Sequence, residues 1–549
     1  MTVMPDVNIL PDGIDRPAWQ VDDLMKLAEL PHSANWSEMG CYKTTTGLWL
    51  AEAKTINVEN PCILIITTAG GKGTYFDMVP RLLPKHTLLD VGTKALSIVM
   101  PGGKRIKLQE DWPTEFKFPA VVLSHYHVFA RWNKNKTGEC DQCDGSGMEN
   151  FQIGGPAIKE ELQVKCEKCK GIGFMPLPWT MADKVANHPW DFVIVDEAHR
   201  LKGRDNKWTH CIKRIKSPHK HIMTGTGFIN RPDEIWSLLN FLDKSKFGSY
   251  NRFVDYFCEI DEYTGFRRVV GVKDETREEF RTLVRHWGVR RTLTEVMPHI
   301  KEPIKMRRDV ELSDIQRRMY KEIKSELKAL DAKGEPFHSP NVLSALQRLR
   351  QICVATPEVV SDEYDPINER RVIRIKLVEP SSKLDELMDI IEELQWDDDE
   401  KQQVVVFSNF KDPLELLKAR LDPKYDKDGK LIKEGIPYIH MDVSDSDETR
   451  YKKWHDIFPK KEHKVFMSTV QLGGESINLT SARHVVFLDR SWSPKDNSQA
   501  IGRIRRPGQE GQPVVINIEA IGTTDQRLEQ VNNQKQGWFN EIFADEDMI

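Results

Sequence analysis

Two eight-residue cysteine strings, one acidic string and one loop hold most of the side chains that could do chemistry. CDQCDGSG (140–147) and CEKCKGIG (166–173) share one pattern, with Cys140, Cys143, Cys166 and Cys169 as paired thiols. Two residues between thiols let both sulfurs of a tight turn face one ion, and the glycines let the backbone fold round it. Four sulfurs then complete the tetrahedron that Zn²⁺ prefers. A disulfide is the competing use of such thiols, and a reducing compartment disfavours it, while a redox site needs only one pair. A structural zinc site is therefore expected. Cys41, Cys62, Cys211, Cys258 and Cys353 stand apart and read as small buried apolar residues.

The string DFVIVDEAHR puts Asp196, Glu197 and His199 directly after an apolar run. A carboxylate at the C-terminal end of a buried strand faces the crevice where ligands bind in α/β sheets. Asp196 would hold Mg²⁺ and Glu197 would orient an attacking water. Capping of the next helix is the plainer use of the same acids. Residues 37–44, SEMGCYKT, precede the helical-looking TTGLWLAEA and approximate a phosphate-cradling loop. There Lys43 would reach the β- and γ-phosphates and Thr44 would ligate Mg²⁺ at a helix N-terminus. Ser37 and Tyr42 occupy the two positions where that loop carries glycine. A side chain just before the lysine restricts both backbone angles and close approach to phosphate.

The elements that must position these groups alternate in type. Apolar, strand-like runs lie at 62–68, 120–126, 191–199 and 221–227, and again at 403–410, 463–470, 482–490 and 513–521. Helical stretches between them predict parallel sheets joined by crossover helices. Roughly residues 275–395 form a helix-rich middle, with DIQRRMYKEIKSELKAL and LSALQRLRQICV at helical spacing. Polar loops are expected at 331–340 and 422–437, and the cysteine segment reads as an insertion into the first half.

Composition removes other classes. The 549 residues are 39% hydrophobic and 30% charged, which excludes wholesale disorder, collagen-like repeats and a long coiled coil. No apolar run nears the roughly 18 residues of a membrane span. The opening MTVMPDVNILPDGID lacks a basic segment followed by an apolar one, so no secretory signal is expected, and the chain reads as a soluble intracellular protein. Its 79 basic and 84 acidic residues give a net charge of −5, so any nucleic-acid contact must come from a local patch. One candidate is the run Arg200, Lys202, Arg204, Lys207, Lys213, Arg214, Lys216 and Lys220, for which a solvated helix face is the bland alternative.

The order of motifs resembles the Swi/Snf-like DNA translocases of helicase superfamily 2, from about residue 16 to 535. RPAWQ (16–20) is similar to the family's adenine-reading segment, SEMGCYKT to its nucleotide loop and DEAH to its Mg²⁺-binding box. MTGTGFINRPDEIWSLLNFL (223–242) resembles another family string, with Gly227 at a usual proline, and RRTLTEV and LRQIC fit its linking segments. STVQLGGESINLT (468–480) matches with Ser476 at a usual glycine, and QAIGRIRRPGQ (499–509) matches at Gln499, Gly502, Arg503 and Arg506. Arg503 and Arg506, three apart, would share one face of a short helix. The cysteine strings resemble DnaJ-type zinc modules, over those strings alone.

This resemblance implies two RecA-like lobes in an α/β fold, with a zinc-binding insertion in the first. Residues 1–290 would form lobe one, 133–175 the insertion, 291–395 a helical linking region and 396–549 lobe two. ATP contacts would come from Gln20, Gly40, Lys43, Thr44, Thr45, Asp196 and Gly474, with Glu197 for water and Arg503 and Arg506 as arginine fingers. Double-stranded DNA would be the partner, held through phosphates without a base code. Ser124, Ser408, Asn409, Ser468 and Thr469 would touch it, unless they serve local turns, and Thr224, Gly225 and Thr226 would couple nucleotide to DNA. The insertion would be a stapled loop, a DNA-contacting finger or a docking surface for a protein. The expected activity is DNA-dependent ATP hydrolysis driving translocation, in a cytoplasmic rather than nuclear setting. Two alternatives stay open: a binding module with impaired hydrolysis, prompted by Tyr42, and a strand-separating DNA or RNA helicase.

Overall fold

The computed structural model describes residues 17–526, except 94, 101–103, 109–111, 114, 133–136, 140–145, 147, 154–159, 166–169, 171, 173, 177–179, 226–230, 262–267, 327, 331–335, 339–341, 366–369, 395–401 and 474–476. The chain divides into two compact units: one drawn from residues up to 33, 45–222 and 233–254, the other from 34–44, 223–232 and 255 onward.

A nine-stranded sheet contains β1 (His32–Asn35), β2 (Cys62–Thr67), β3 (Thr87–Val91), β4 (Leu96–Val99), β5 (Arg105–Lys107), β6 (Ala120–His125), β7 (Phe192–Asp196), β8 (His219–Met223) and β9 (Gly288–Val289). Their order is β9-β1-β8-β7-β2-β6-β3-β4-β5. The run CILIIT is buried at all six positions because its strand is covered on both faces, as continuous apolar strands of parallel sheets are. β7 and β6 flank it in parallel, with Ile194 opposite Ile65 and Ile65 opposite Leu123. The expected parallel order stops at β3. There β4 and β5 add antiparallel strands, which are short, and β5 is fully exposed, so neither carries the apolar run that marks a central strand.

The second sheet is parallel throughout. Its strands are β10 (Ile304–Val310), β11 (Val404–Ser408), β12 (Tyr438–Met441), β13 (Val465–Thr469), β14 (His484–Phe487) and β15 (Val514–Ala520). They lie in the order β10-β15-β14-β11-β13-β12. Period-two alternation divides the sheet's side chains between two cores. Val405, Phe407, Phe466, Val485 and Phe487 join one cluster, while Val404, Val406, Val465, Met467 and Val486 join another. The latter is closed by Leu384, Leu387 and Ile391 of the helix Ser382–Glu393. All eight strands expected from apolar runs are present. The edge strand β10 comes from the stretch read as linking region, because its burial is low and its sequence, IKMRRDV, is polar.

The middle region departs from its helical reading. The helices Asp314–Glu326 and Val342–Val354 form where spacing predicts them, but Thr356–Asp365 and Arg370–Val378 pair as a long antiparallel hairpin. β-branched residues concentrate there, as in VVSDEY and RVIRIKLV, and favour the pleat over the helix. The loop expected at 422–437 also contains a small hairpin, Lys424–Tyr425 with Leu431–Lys433, turned at Gly429 with φ +79°. In the cysteine segment, Thr137–Glu139 pairs with Phe174–Pro176 and Met148–Ile153 pairs with Glu160–Lys165. Among the described residues, no helix is long and apolar enough to cross a membrane.

Candidate functional site

The loop between β1 and the helix α1 (Lys43–Thr55) is fastened by its backbone and side chains. The Glu38 amide donates to the Arg291 carbonyl at 2.8 Å, and the Arg291 amide donates to Ser37 Oγ at 2.9 Å. Ser37 thus uses its hydroxyl at a position where the phosphate-loop pattern has glycine. The second departure, Tyr42, adopts φ +52°, the left-handed region that glycine enters freely, and its side chain is 41% exposed. Gly40 has φ +84°, and a Cβ there would lie 3.1 Å from Leu293 Cδ1. The loop therefore reaches a glycine-like path with a tyrosine in it. Lys43 Nζ donates to the carbonyls of Ser37 (2.8 Å) and Glu38 (2.6 Å), so the loop curls around its ammonium.

Thr44 is half-buried, and Thr45 is 7% exposed. Gln20, on the helix Ala18–Glu29, is buried and donates through Nε2 to Thr46 Oγ1 at 3.0 Å. Thr224 donates its amide to the Asn35 carbonyl at 3.1 Å, and a Cβ on Gly225 would lie 3.7 Å from Lys43 Nζ. The same Cβ would lie 3.3 Å from Met39 Cγ, a tight contact that the methionine side chain would have to relieve.

The acidic turn is built at the end of β7. Thr67 Oγ1 donates to Asp196 Oδ2 at 3.1 Å, and the Glu197 amide donates to Asp196 Oδ1 at 2.8 Å. Glu197 sits in the left-handed region, φ +50° and ψ +43°, and its Oε2 lies 3.2 Å from His199 Nδ1. Such a conformation costs of order 1 kcal/mol for a residue with a Cβ and persists only when neighbours hold it. Tyr126 does so. Its hydroxyl lies 2.7 Å from the Asp196 carbonyl and 3.2 Å from that of Glu197, and can donate to either. Burial pushes the phenol well above its usual pKa, so it stays a donor. The sequence reading passed over Tyr126; its signal was a tyrosine directly after β6, at the same sheet edge as the acids.

In the second unit, Arg503 is 3% exposed and donates from Nε to the Gly473 carbonyl at 3.0 Å. Arg506 donates from Nη1 to the Ile477 carbonyl at 2.9 Å. Both arginines are thus tied to the segment that follows β13. They do not share a helix face: the helix Pro494–Ile501 ends at Gly502, and both residues lie in the turns beyond it. Pro507 explains part of this, since a proline disfavours helical backbone at the residue before it.

Ser408, Asn409, Ser468 and Thr469 make local hydrogen bonds. Ser408 Oγ donates to Asp489 Oδ1 at 2.6 Å, and Asn409 Nδ2 donates to Asp489 Oδ2 at 2.6 Å. Ser124, Ser408 and Ser468 are fully buried, which denies their side chains to a strand outside. Thr469 Oγ1 accepts from the Leu472 amide at 3.4 Å.

Five side chains of the basic run pack over aromatic rings. Arg204 lies 4.0 Å from the ring centre of Tyr250, Lys213 4.6 Å from Trp236 and Lys220 4.8 Å from Phe241. Arg200 and Arg214 lie over Tyr126 and Trp132 at 5.7 and 5.4 Å. Cations over ring faces are attracted by the π quadrupole, so five of these side chains help hold the unit together. Burial lowers Lys213 to about 8, with help from Lys244. Arg200, Arg204, Lys207, Arg214 and Lys216 are exposed.

Cys140, Cys143, Cys166, Cys169, Gly474, Ser476, Thr226 and Gly227 lie outside the described residues. Among the described residues, no group of three or more His, Cys, Asp or Glu is placed to hold a metal.

Comparison with known proteins adds to this geometry. Residues 163–357 match the SNF2-related domain and residues 382–508 the helicase conserved C-terminal domain. Asp196 and Glu197 fall in the first match and Arg503 and Arg506 in the second, while Gln20, Lys43 and Thr44 precede both. The chain is 24% identical over 372 residues to the putative ATP-dependent helicase/translocase YwqA of Bacillus subtilis, covering 67% of this chain and 37% of that protein. It is 26% identical over 358 residues to the ISWI chromatin-remodeling complex ATPase ISW1 of Saccharomyces cerevisiae, covering 63% and 29%. It thus spans less than two-fifths of the length of either relative. A solved Sulfolobus solfataricus SWI2/SNF2 ATPase core in complex with double-stranded DNA aligns over 99% of this chain and 96% of that one, at 18% identity and a TM-score of 0.39.

Proposed function

From a chain that carries an SNF2-related domain followed by a helicase C-terminal domain, we propose a DNA-dependent ATPase that moves along double-stranded DNA and remodels what is bound or branched there. The observation that carries the proposal is the acidic turn: Asp196 oriented by Thr67, and Glu197 held in a left-handed conformation by Tyr126. An oriented carboxylate pair at a strand's C-terminal end suits metal-assisted phosphoryl transfer to water.

In this proposal Lys43 leaves the carbonyls of Ser37 and Glu38 for the nucleotide phosphates, and loop amides at the start of α1 supply the remaining donors. Thr44 and Asp196 fit Mg²⁺ because they offer the hard oxygens it prefers. When bound, that ion neutralises charge between the β- and γ-phosphates. Glu197 orients the water, and Gln20 reads adenine. Arg503 and Arg506 neutralise charge developing on the γ-phosphoryl group. Tyr42 prompted the alternative of impaired hydrolysis; its φ in the glycine-like region keeps the loop's backbone path, which supports the active reading.

The insertion, 133–175, is proposed as a zinc module with a protein or DNA surface. In chain order, both cysteine pairs fall between an outer ladder (137–139 with 174–176) and an inner one (148–153 with 160–165), an arrangement that brings the flanks of four thiols together. The lobes at 1–290 and 396–549, joined through 291–395, complete the proposed organisation.

The test is steady-state ATP hydrolysis with no nucleic acid, duplex DNA, single-stranded DNA or RNA. Duplex stimulation that Glu197→Gln abolishes supports the proposal. Hydrolysis no faster than that variant under every condition rejects it, and stimulation by RNA or single strands alone favours a strand-separating helicase. Zinc content before and after Cys140→Ser tests the insertion separately.

A further inference from the structure

A cavity of about 790 Å³ opens at the N-terminal edge of the second sheet, the edge opposite Ser408 and Thr469. Gln403, just before β11, and His484, the first residue of β14, are in its wall. Gln403 is 2% exposed, and its Nε2 donates to the carbonyls of Phe458 (2.9 Å) and His463 (2.7 Å). That fixes the amide and leaves Oε1 as a buried acceptor without a partner. Ser481 Oγ and His484 Nδ1, in the same wall, are also buried and unpartnered. Burial, then Arg483, lowers His484 to about 4, so its ring is neutral at ordinary pH.

Trp454 and His455 make the aromatic part of the wall. They sit on the turn Lys452–Ile457, wound with π spacing, a form concentrated at functional sites. Tyr451 stacks on His455 with centroids 4.5 Å apart and planes at 20°. Exposed Lys461 and Arg483 bring two cations to the lining against the single carboxylate of Glu510. Arg483 packs so closely on Gly511 that a Cβ there would lie 2.5 Å from its Nε.

We infer that this cavity binds a nucleotide moiety: Gln403, Ser481 and His484 hydrogen-bond the base edge, the Trp454–His455 wall packs against its plane, and Lys461 and Arg483 meet the phosphate. Neutral buried donors and acceptors beside rings select a base, which inorganic phosphate or a lipid headgroup would not satisfy. The volume lies within the roughly 300–1,000 Å³ of small-molecule sites. The inference stands on the second unit alone and is independent of hydrolysis. Its ligand is either a free nucleotide or an unpaired nucleotide of a strand.

Calorimetric titration of the full chain carrying Lys43→Ala, which disables the proposed phosphate loop without adding a competing nucleotide, distinguishes these sources. One arm uses AMP and the other a 5′-phosphorylated oligo-dA trimer. Binding is expected in at least one arm and should weaken at least tenfold in Ser481→Leu, which fills the cavity, and in Lys461→Glu/Arg483→Glu, which leaves the interior intact. AMP binding as tight as the trimer's assigns a free nucleotide, and a trimer bound tenfold tighter assigns a strand. No binding in either arm overturns the inference, as does unchanged affinity in the charge-reversed variant when its melting temperature matches that of the parent protein.

Discussion

The hydroxyl of Tyr126 lies 2.7 Å from the main-chain carbonyl of Asp196, and the same oxygen lies 3.2 Å from the Glu197 carbonyl. A buried phenol on β6's far end therefore sets the backbone of the turn that carries both acids. Tyr126→Phe keeps the ring under Arg200 and removes only the donor. A hydrogen bond of about 1 kcal/mol, used to hold the water-orienting carboxylate, corresponds to roughly fivefold in rate. The expected result is a kcat for ATP hydrolysis lowered about fivefold, with KM for ATP and affinity for DNA unchanged. A kcat equal to that of the parent would remove Tyr126 from the site.

Tyr42 tests whether the loop needs a glycine-like residue. Tyr42→Gly relieves the left-handed strain, while Tyr42→Val puts a β-branched residue where it is least tolerated. The glycine variant should bind ATP at least as tightly as the parent, and the valine variant should lose about 1–2 kcal/mol of stability. Equal melting temperatures and equal KM for both would show that the conformation at Tyr42 is immaterial.

His221 supplies a pH dependence. It is fully buried, its Nδ1 lies 2.8 Å from Ser33 Oγ, and burial lowers its pKa to about 3. The unfolded imidazole takes a proton near 6.5, whereas the folded one refuses it until far lower pH. Its stabilising contribution is thus complete above about 6.5 and is lost as pH falls toward 3. Between pH 7 and 5.5 that loss is about 1.2 kcal/mol for this residue. Urea unfolding at both pH values should show at least this fall, and His221→Phe should flatten it. A parent protein equally stable at both pH values contradicts the assignment.

Lys383 and Asp525 form an ion pair of 2.6 Å with side chains 1% and 9% exposed, and Lys383 also donates to the Leu488 carbonyl at 2.7 Å. Removing one partner strands a buried charge, at a cost of about 3–5 kcal/mol, while removing both is far milder. Lys383→Met should therefore lower stability more than Lys383→Met/Asp525→Leu. Additive losses in thermal unfolding would show that the two charges are uncoupled.

The strands that carry the candidate chemistry were legible before any coordinates. Runs such as CILIIT, FVIVD and VVVFS are continuous and apolar because their sheets are covered on both faces, and burial of that kind is written locally. The acids after β7 and the lysine opening α1 followed from position at strand and helix ends. The edge strands β5 and β10, and β1 and β4 next to an edge, lack such runs, and the hairpin 356–378 interrupts a region whose helices were otherwise readable.

Side-chain partnership was decided by the tertiary structure. Arg200 through Lys220 read as one charged run, yet Lys213 meets a ring 23 residues away and Arg214 one 82 residues away, distances along the chain at which no periodicity links them. Ser408 and Asn409 resembled surface contacts until folding brought Asp489 to them. Tyr126 reaches a turn 70 residues later because β6 and β7 both flank β2, a neighbourhood that exists only in the assembled sheet. The sequence by itself therefore determined which residue types stand at the ends of buried strands, since burial and backbone period act over a few residues. The structure alone decided which charges and hydroxyls remain available, because that depends on groups brought together by the path of the whole chain.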